Sequence, residues 1–259
     1  MTLVSVRREG GRLRTRLRGG LLRPQLLQGP ADRCRVGLLA ATALLLGGDA
    51  VEVDVEVGPG VCLELVDVAG TVAYDGRGAP ASWQVRVRVA EGGSLRWSGE
   101  PFVVADGADV TRGLRLEVAD GGQALVRETL VLGRSGQLGG VLRSRTDVSR
   151  AGRPLLVEDA VLDPGGYRRL PGMLGDLRVL DTVLTVGYAL TAPEAGPTGA
   201  RATLFALPEP GCFLGRALVA ELAASPVHRW WAGTRVDAPA GQLHPRPRAT
   251  TPPVADRGS

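Results

Sequence analysis

Apolar and polar residues alternate along much of the chain: Val51, Val53, Val55 and Val57, then Val61, Leu63 and Leu65 after a short break. A period of two sends every second side chain to one face, so these runs predict strands with one buried side. Five strand–turn–strand units recur, at 5–17, 53–65, 85–97, 114–126 and 160–170. The second turn glycines are Gly11, Gly60, Gly93, Gly122 and Gly166. Glycine supplies the positive φ that a reversal of the chain needs. Such units build either successive hairpins in a sandwich or barrel, or stacked rungs of a solenoid with one shared core. The turns are unevenly spaced, which argues against a pure solenoid. The fold class expected is mainly β: an elongated, β-helix-like body of stacked sheets with one or two C-terminal helices.

Past Leu190 the pattern changes. A Pro/Gly-rich loop at 191–201 leads to a strand at 202–207. In 211–224, Leu214, Leu218 and Leu222 recur every four residues with Ala217 and Val219 beside them, which predicts a helix ended by Pro226. Residues 1–236 are expected to form a single domain. Residues 237–259 carry five prolines and no aromatic residue, the composition of a disordered tail.

Composition sharpens this picture. Glycine is 37 of 259 residues, spread along the chain as turns require. The formal net charge is +4, and every basic residue besides the two histidines is Arg, a substitution pattern of GC-rich coding. Nine of these arginines lie in the first 35 residues against only Glu9 and Asp32; that region reads as a solvated strand face or a surface for an acidic partner. Cys34, Cys62 and Cys212 are too few and too far apart for a disulfide framework or a zinc knuckle, so a reduced, cytoplasmic setting is expected. The longest apolar stretch, 36–46, is too short for a membrane helix.

Material for catalysis is sparse. His228 and His244 are the only histidines, and no phosphate loop, nucleophile elbow or HExxH motif occurs. Asp67, Asp75, Glu100, Glu128 and Glu158 lie near strand ends, so a β-helical carbohydrate-active enzyme with paired carboxylates is one alternative. An Arg-rich nucleic-acid-binding module is another.

The segment 44–74, LLLGGDAVEVDVEVGPGVCLELVDVAGTVAY, resembles the signature stretch of the urease accessory protein UreD (UreH) family. WSGEPFVVADGADV, RETLVLGRSG, VLRSRTDVSRAGRPLLVEDAVLD and GRALVAEL follow in family order. Two departures stand out: Thr71-Val72 replaces the family's usual TK, and GRSGQLGG lacks a Glu common after GR. The resemblance implies a non-enzymatic maturation factor. It would bind apo-urease, UreF and, through UreF, the GTPase UreG, with no nucleic acid or membrane partner. It would hold no tight cofactor, with Ni²⁺ passing in transit along an internal hydrated passage.

Several residues become candidates on that basis. Asp49, Thr71 and Tyr74 match the family motif, with Asp49 placed either to fix a turn or to serve the metal route or partner surface. Glu128 and Glu158 break apolar runs, LVRETLVL and LLVEDAVL, and with Glu100 and Asp159 are candidates to line the passage. A buried carboxylate needs a partner, so each either pairs with an Arg or faces a hydrated channel. His228, Trp230 and Trp231 are candidates for the UreF interface, with at least one Trp expected near the surface.

Overall fold

The glycine-rich turns in the middle of the chain are corners between two sheets, not hairpin bends. The computed structural model describes residues 1–30, 32–166, 174–188 and 201–234. Strands β5 (Ala50–Val57), β8 (Ala81–Val89) and β11 (Asp109–Val118) lie side by side and parallel in one sheet. Each turns a corner into β6 (Cys62–Asp67), β9 (Ser94–Ser98) and β12 (Gln123–Leu132), which run parallel in the other. Two short strands, β7 (Thr71–Ala73) and β10 (Phe102–Val104), close the third side of the rungs, and β10 pairs with the far half of β12. The result is a β-solenoid, mainly β as expected and more regular than the uneven turn spacing suggests. The unevenness comes mainly from the outer turns, since Gly11 lies in a hairpin and Gly166 follows β14, whereas the corners at Gly60, Gly93 and Gly122 are 33 and 29 residues apart.

Antiparallel strands extend both ends. β1 (Thr2–Glu9) joins β5 in parallel and forms a hairpin with β2 (Arg12–Arg18) around Gly10-Gly11, and β3 (Leu22–Leu27) pairs with β4 (Cys34–Ala40) beside β6. At the other end β13 (Val141–Arg150) and β14 (Arg153–Leu162) complete a seven-stranded sheet. β15 (Val179–Val186), β16 (Arg201–Ala206) and β17 (Phe213–Val219) extend the second sheet beyond β12.

The core consists of columns. Val4, Val55, Val87, Leu116 and Val148 occupy one register level on five neighbouring strands, each at most 2% exposed. Val36, Leu65, Trp97, Val126, Leu184 and Leu214 form the facing column in the second sheet. Burying a Val or Leu contributes about 1.5–3 kcal/mol, so these columns dominate the stability of the body. The outward positions of the first sheet are charged instead, and Glu56, Arg88 and Glu117 stand opposite one another on successive strands.

Two kinds of glycine make each corner. Gly60, Gly92 and Gly121 have φ of +61°, +62° and +65°, which L side chains rarely adopt. Gly93 and Gly122 are needed for proximity: a Cβ on Gly93 would lie 2.9 Å from the Gly58 carbonyl, and one on Gly122 3.0 Å from that of Ala90. Each rung's corner thus nests on the carbonyl of the rung before it. Gly166 follows β14 in a turn where Asp163 accepts the Gly165 amide at 2.8 Å; the strand expected through Leu170 lies outside the described residues.

The helix expected over 211–224 is a correction: Phe213–Val219 is strand β17, between β15 and β16. A spacing of four is even, so Leu214 and Leu218 share one face of a strand as they would of a helix. Both faces of β17 are covered, which erased the alternation that marks a half-exposed strand. The turn of 3-10 helix at Leu222–Ala224 and one short helix, α1 (Val227–Gly233), follow it. Thus the C-terminal helix exists but starts after Pro226, which is its N-cap. The expected tail at 237–259 lies outside the described residues. Among them, no helix is long and apolar enough to cross a membrane, and the three cysteines are free thiols.

The corner geometry carries a stability test. Gly93→Ala and Gly122→Ala should each destabilise by about 1–3 kcal/mol in urea denaturation, because the opposing groups are backbone or core and cannot swing aside. Gly233→Ala, where a Cβ would meet nothing within 4 Å, should change stability by less than about 0.5 kcal/mol.

Candidate functional site

At one level of the stack the inward positions turn from apolar to charged. In the first sheet, Val51, Trp83, Arg112 and Ser144 share a register position on β5, β8, β11 and β13. In the second, Glu128, Thr182 and Arg216 share one on β12, β15 and β17. The Arg112 guanidinium donates to Glu128 across the interior and lies 5.5 Å from the Phe102 ring, which itself packs edge-on against Trp83. Arg216 grips Glu158 of β14 with both terminal nitrogens, at 2.7 and 2.6 Å, and its Nε donates to Thr182 at 3.4 Å. A bidentate fork of this kind fixes orientation as well as charge.

Two small cavities share Glu128 in their linings. One, of about 20 Å³, is bounded by Asp67, Thr71, Glu100, Arg112 and Glu128 among others. The second, of about 40 Å³, lies between Glu128, Ser144, Thr146, Glu158, Thr182 and Arg216 on one hand and seven apolar residues of β12, β14, β15 and β17 on the other. Each has room for one or a few waters with polar partners around them. Asp67 closes the first cavity; it accepts the Trp97 indole N–H at 3.1 Å and the Glu100 amide at 3.3 Å. Burial nevertheless dominates and pushes its carboxyl up to about 6.

A second charged cluster lies on the opposite face of β12. Asp181 of β15 is fully buried and accepts four hydrogen bonds: two from Arg127 at 3.1 and 2.9 Å, one from Thr129 at 2.9 Å and one from Ser225 at 2.6 Å. The Ser225 hydroxyl also accepts the Val227 amide at 3.2 Å, at the first residue of α1. The helix is therefore tied to the sheet through a carboxylate. Trp230 drops onto Gly215, where a Cβ would lie 2.6 Å from the indole ring. Trp231 is half-buried and covers the Arg96 guanidinium, 4.4 Å from its ring centroid. His228 is exposed, with Nδ1 2.6 Å from the Ser225 carbonyl.

These positions sort the sequence candidates. Thr71, Glu100, Glu128 and Glu158 gather around the two cavities, although Glu100 itself is exposed at the rim. Asp159 points outward from β14 and pairs with Arg145 at 3.4 Å. Asp49 fixes its turn: its carboxylate accepts the Leu46 amide at 3.0 Å, and its own amide donates to the Leu46 carbonyl. Tyr74 is 37% exposed beside the same turn, away from the seam. Sequence reasoning passed over Arg112, Arg216 and Asp181, and treated Asp67 only as one carboxylate among many. The signal was available, since Arg112 interrupts the alternation of Val110, Leu114, Leu116 and Val118, and Asp181 interrupts VLDTVLTV.

The fold and the seam define a β-solenoid with an apolar core in its early rungs and paired charges inside its late ones. The model of the UreD urease accessory protein family matches residues 3–244. Urease accessory protein UreD 1 of Streptomyces griseus subsp. griseus is 45% identical over 199 residues, which cover 76% of this chain and 77% of that protein. The UreD of Frankia alni is 37% identical over 191 residues, covering 66% and 63%; UreD 1 of Saccharopolyspora erythraea is 37% identical over 162 residues, covering 62% and 64%. The chain belongs to the UreD urease accessory protein family, a family of non-catalytic chaperones.

Two measurements test the charge assignments. Asp181→Ala leaves the half-buried Arg127 without its partner and should cost about 3 kcal/mol, with faster amide exchange in α1. Because folding raises the Asp67 pKa, this group's contribution to stability is full below the unfolded value of about 3.9 and is lost as pH rises through about 6. An NMR titration should place its midpoint near 6, and Asp67→Asn should remove that component of the stability profile; a midpoint near 4 would refute the burial argument.

Proposed function

We propose that this chain assists urease maturation by passing nickel along the interior seam while holding the urease subunits and their accessory proteins together. The observation that supports this reading is that two small cavities share Glu128 in their linings, the first also bounded by Thr71 and Glu100 and the second by Glu158. Among the described residues, no group of three or more His, Cys, Asp and Glu is placed to hold a metal ion. Spaced carboxylates and hydroxyls suit a cargo that must leave again, whereas an imidazole or thiolate cage would retain Ni²⁺. The arginines give the seam its second property. With Arg112 on Glu128 and Arg216 on Glu158, the empty route carries no net charge from these pairs, and an arriving cation takes the carboxylate as the guanidinium turns aside.

Apo-urease, UreF and, through UreF, UreG are the partners in this reading. The outer end of α1 is the proposed UreF contact, with Trp231 and His228 presented and Trp230 committed to the sheet. Its working compartment is the cytoplasm.

Glu128→Gln and Glu158→Gln keep side-chain size and remove charge. Each should lower the nickel content of matured urease severalfold while the variant still co-purifies with urease and UreF. Normal loading by both would end the passage reading. Trp231→Ala should weaken UreF pull-down by about tenfold with little change in thermal midpoint; full-strength capture would remove α1 from the interface.

A further inference from the structure

The end of the stack made by β1, β2 and β3 is charged unlike the rest. The first 35 residues hold nine arginines and two acidic residues, in a chain whose formal net charge is only +4. β2 is the outermost strand of the seven-stranded sheet and pairs only with β1 among the described residues, so one side of its main chain is open. Arg12, Arg14, Arg16 and Arg18 occupy alternate positions on it and are all exposed. Leu13 and Leu17 between them pack against the core, which fixes the arginines on the outer face in a row with a spacing of about 7 Å. Among the described residues, the only acidic side chain paired with this row is Glu9, 3.9 Å from Arg14, with both side chains largely exposed. Arg7, opposite Arg14 on β1, is already engaged by Glu56 at 3.0 Å. Arg12, Arg16 and Arg18 form no ion pair among the described residues.

We propose that β2 is the docking edge for an extended acidic segment of a partner protein, which adds to the sheet as a further strand and sets carboxylates against the arginine row. An open strand edge offers main-chain donors and acceptors that another main chain can match. A nucleic acid could neutralise the guanidiniums but would leave that edge unpaired. The arginines also decide which strands are admitted. A neutral or basic segment leaves the like charges unrelieved, so the row that keeps β2 from pairing with itself selects an acidic partner. Opposite charges across neighbouring strands contribute about 0.2–1 kcal/mol per pair, and several pairs in phase give a useful preference.

Two fluorescent peptides of about ten residues and identical composition test this, one alternating Glu with Thr and Val, the other with its glutamates in one block. The alternating peptide should bind the full chain about tenfold more tightly and slow amide exchange across 12–18. Arg16→Glu/Arg18→Glu should lose that binding, and Arg16→Gln/Arg18→Gln, which removes two charges without reversing them, should weaken it while the thermal midpoint holds. Equal binding of the two peptides, protection elsewhere than β2, tighter binding of oligodeoxythymidine, or no binding at all would overturn the proposal. Glu128→Gln should leave peptide binding unchanged, which separates this edge from the nickel reading.

Discussion

In a parallel ladder, residues at the same level on neighbouring strands point the same way, so an inward side chain rests on its counterpart one rung along. Val55 between Val4 and Val87 shows the consequence: the middle of each column is sealed above and below by its own kind. A slip of one residue would turn the entire valine set outward and the charged set inward. Outside, the succession Glu56, Arg88, Glu117 opposes that slip as well, since Arg88 bonds Glu56 at 2.8 Å in this register. Inner and outer faces thus specify one alignment, and the corner glycines set how closely the rungs may approach.

The same constraint explains why charge inside the body comes as a seam. A polar residue at an inward position faces apolar neighbours in its column unless adjoining positions also change. Where Arg112 enters the column of Val51 and Trp83, Phe102 and Trp83 take its apolar surface, while Glu128 from the opposite sheet takes its charge. Thr182 and Arg216 continue at the level of Glu128 on the next two strands. Buried ion pairs give little net stability after desolvation, but losing one partner is costly. The apolar columns therefore supply the stability, and they hold the seam in place.

Legibility from the sequence followed the same division. Period-two runs such as Val51 to Val57 announce strands because one face meets water. That signal fails where both faces are covered, and it failed at Phe213–Val219, which has the seam on one side and Trp230 on the other. Whether a Gly-Gly turn makes a hairpin or a corner is also invisible locally, since Gly11 and Gly60 occupy similar turn sequences and only the distant pairing of β5 with β8 distinguishes them. Glu128 and Glu158 were legible as interruptions of apolar runs. Their partners were not, because Arg216 lies 58 residues from Glu158 in the chain.

The exclusive use of Arg acquires structural meaning at these sites. Coding bias can account for the supply, yet the three interior cations place different demands on the side chain. Arg127 reaches Asp181 through Nε and one terminal nitrogen, Arg216 holds both oxygens of Glu158, and Arg112 combines an aromatic neighbour with a carboxylate. A planar, weakly hydrated fork does each of these, whereas an ammonium offers one strongly hydrated point charge and no second parallel bond. Lysine at 127 or 216 would keep the charge but lose the fixed geometry. At 127 that geometry anchors α1 through Asp181 and Ser225, so the position of the helix depends on a guanidinium carried by β12, the strand beside β15.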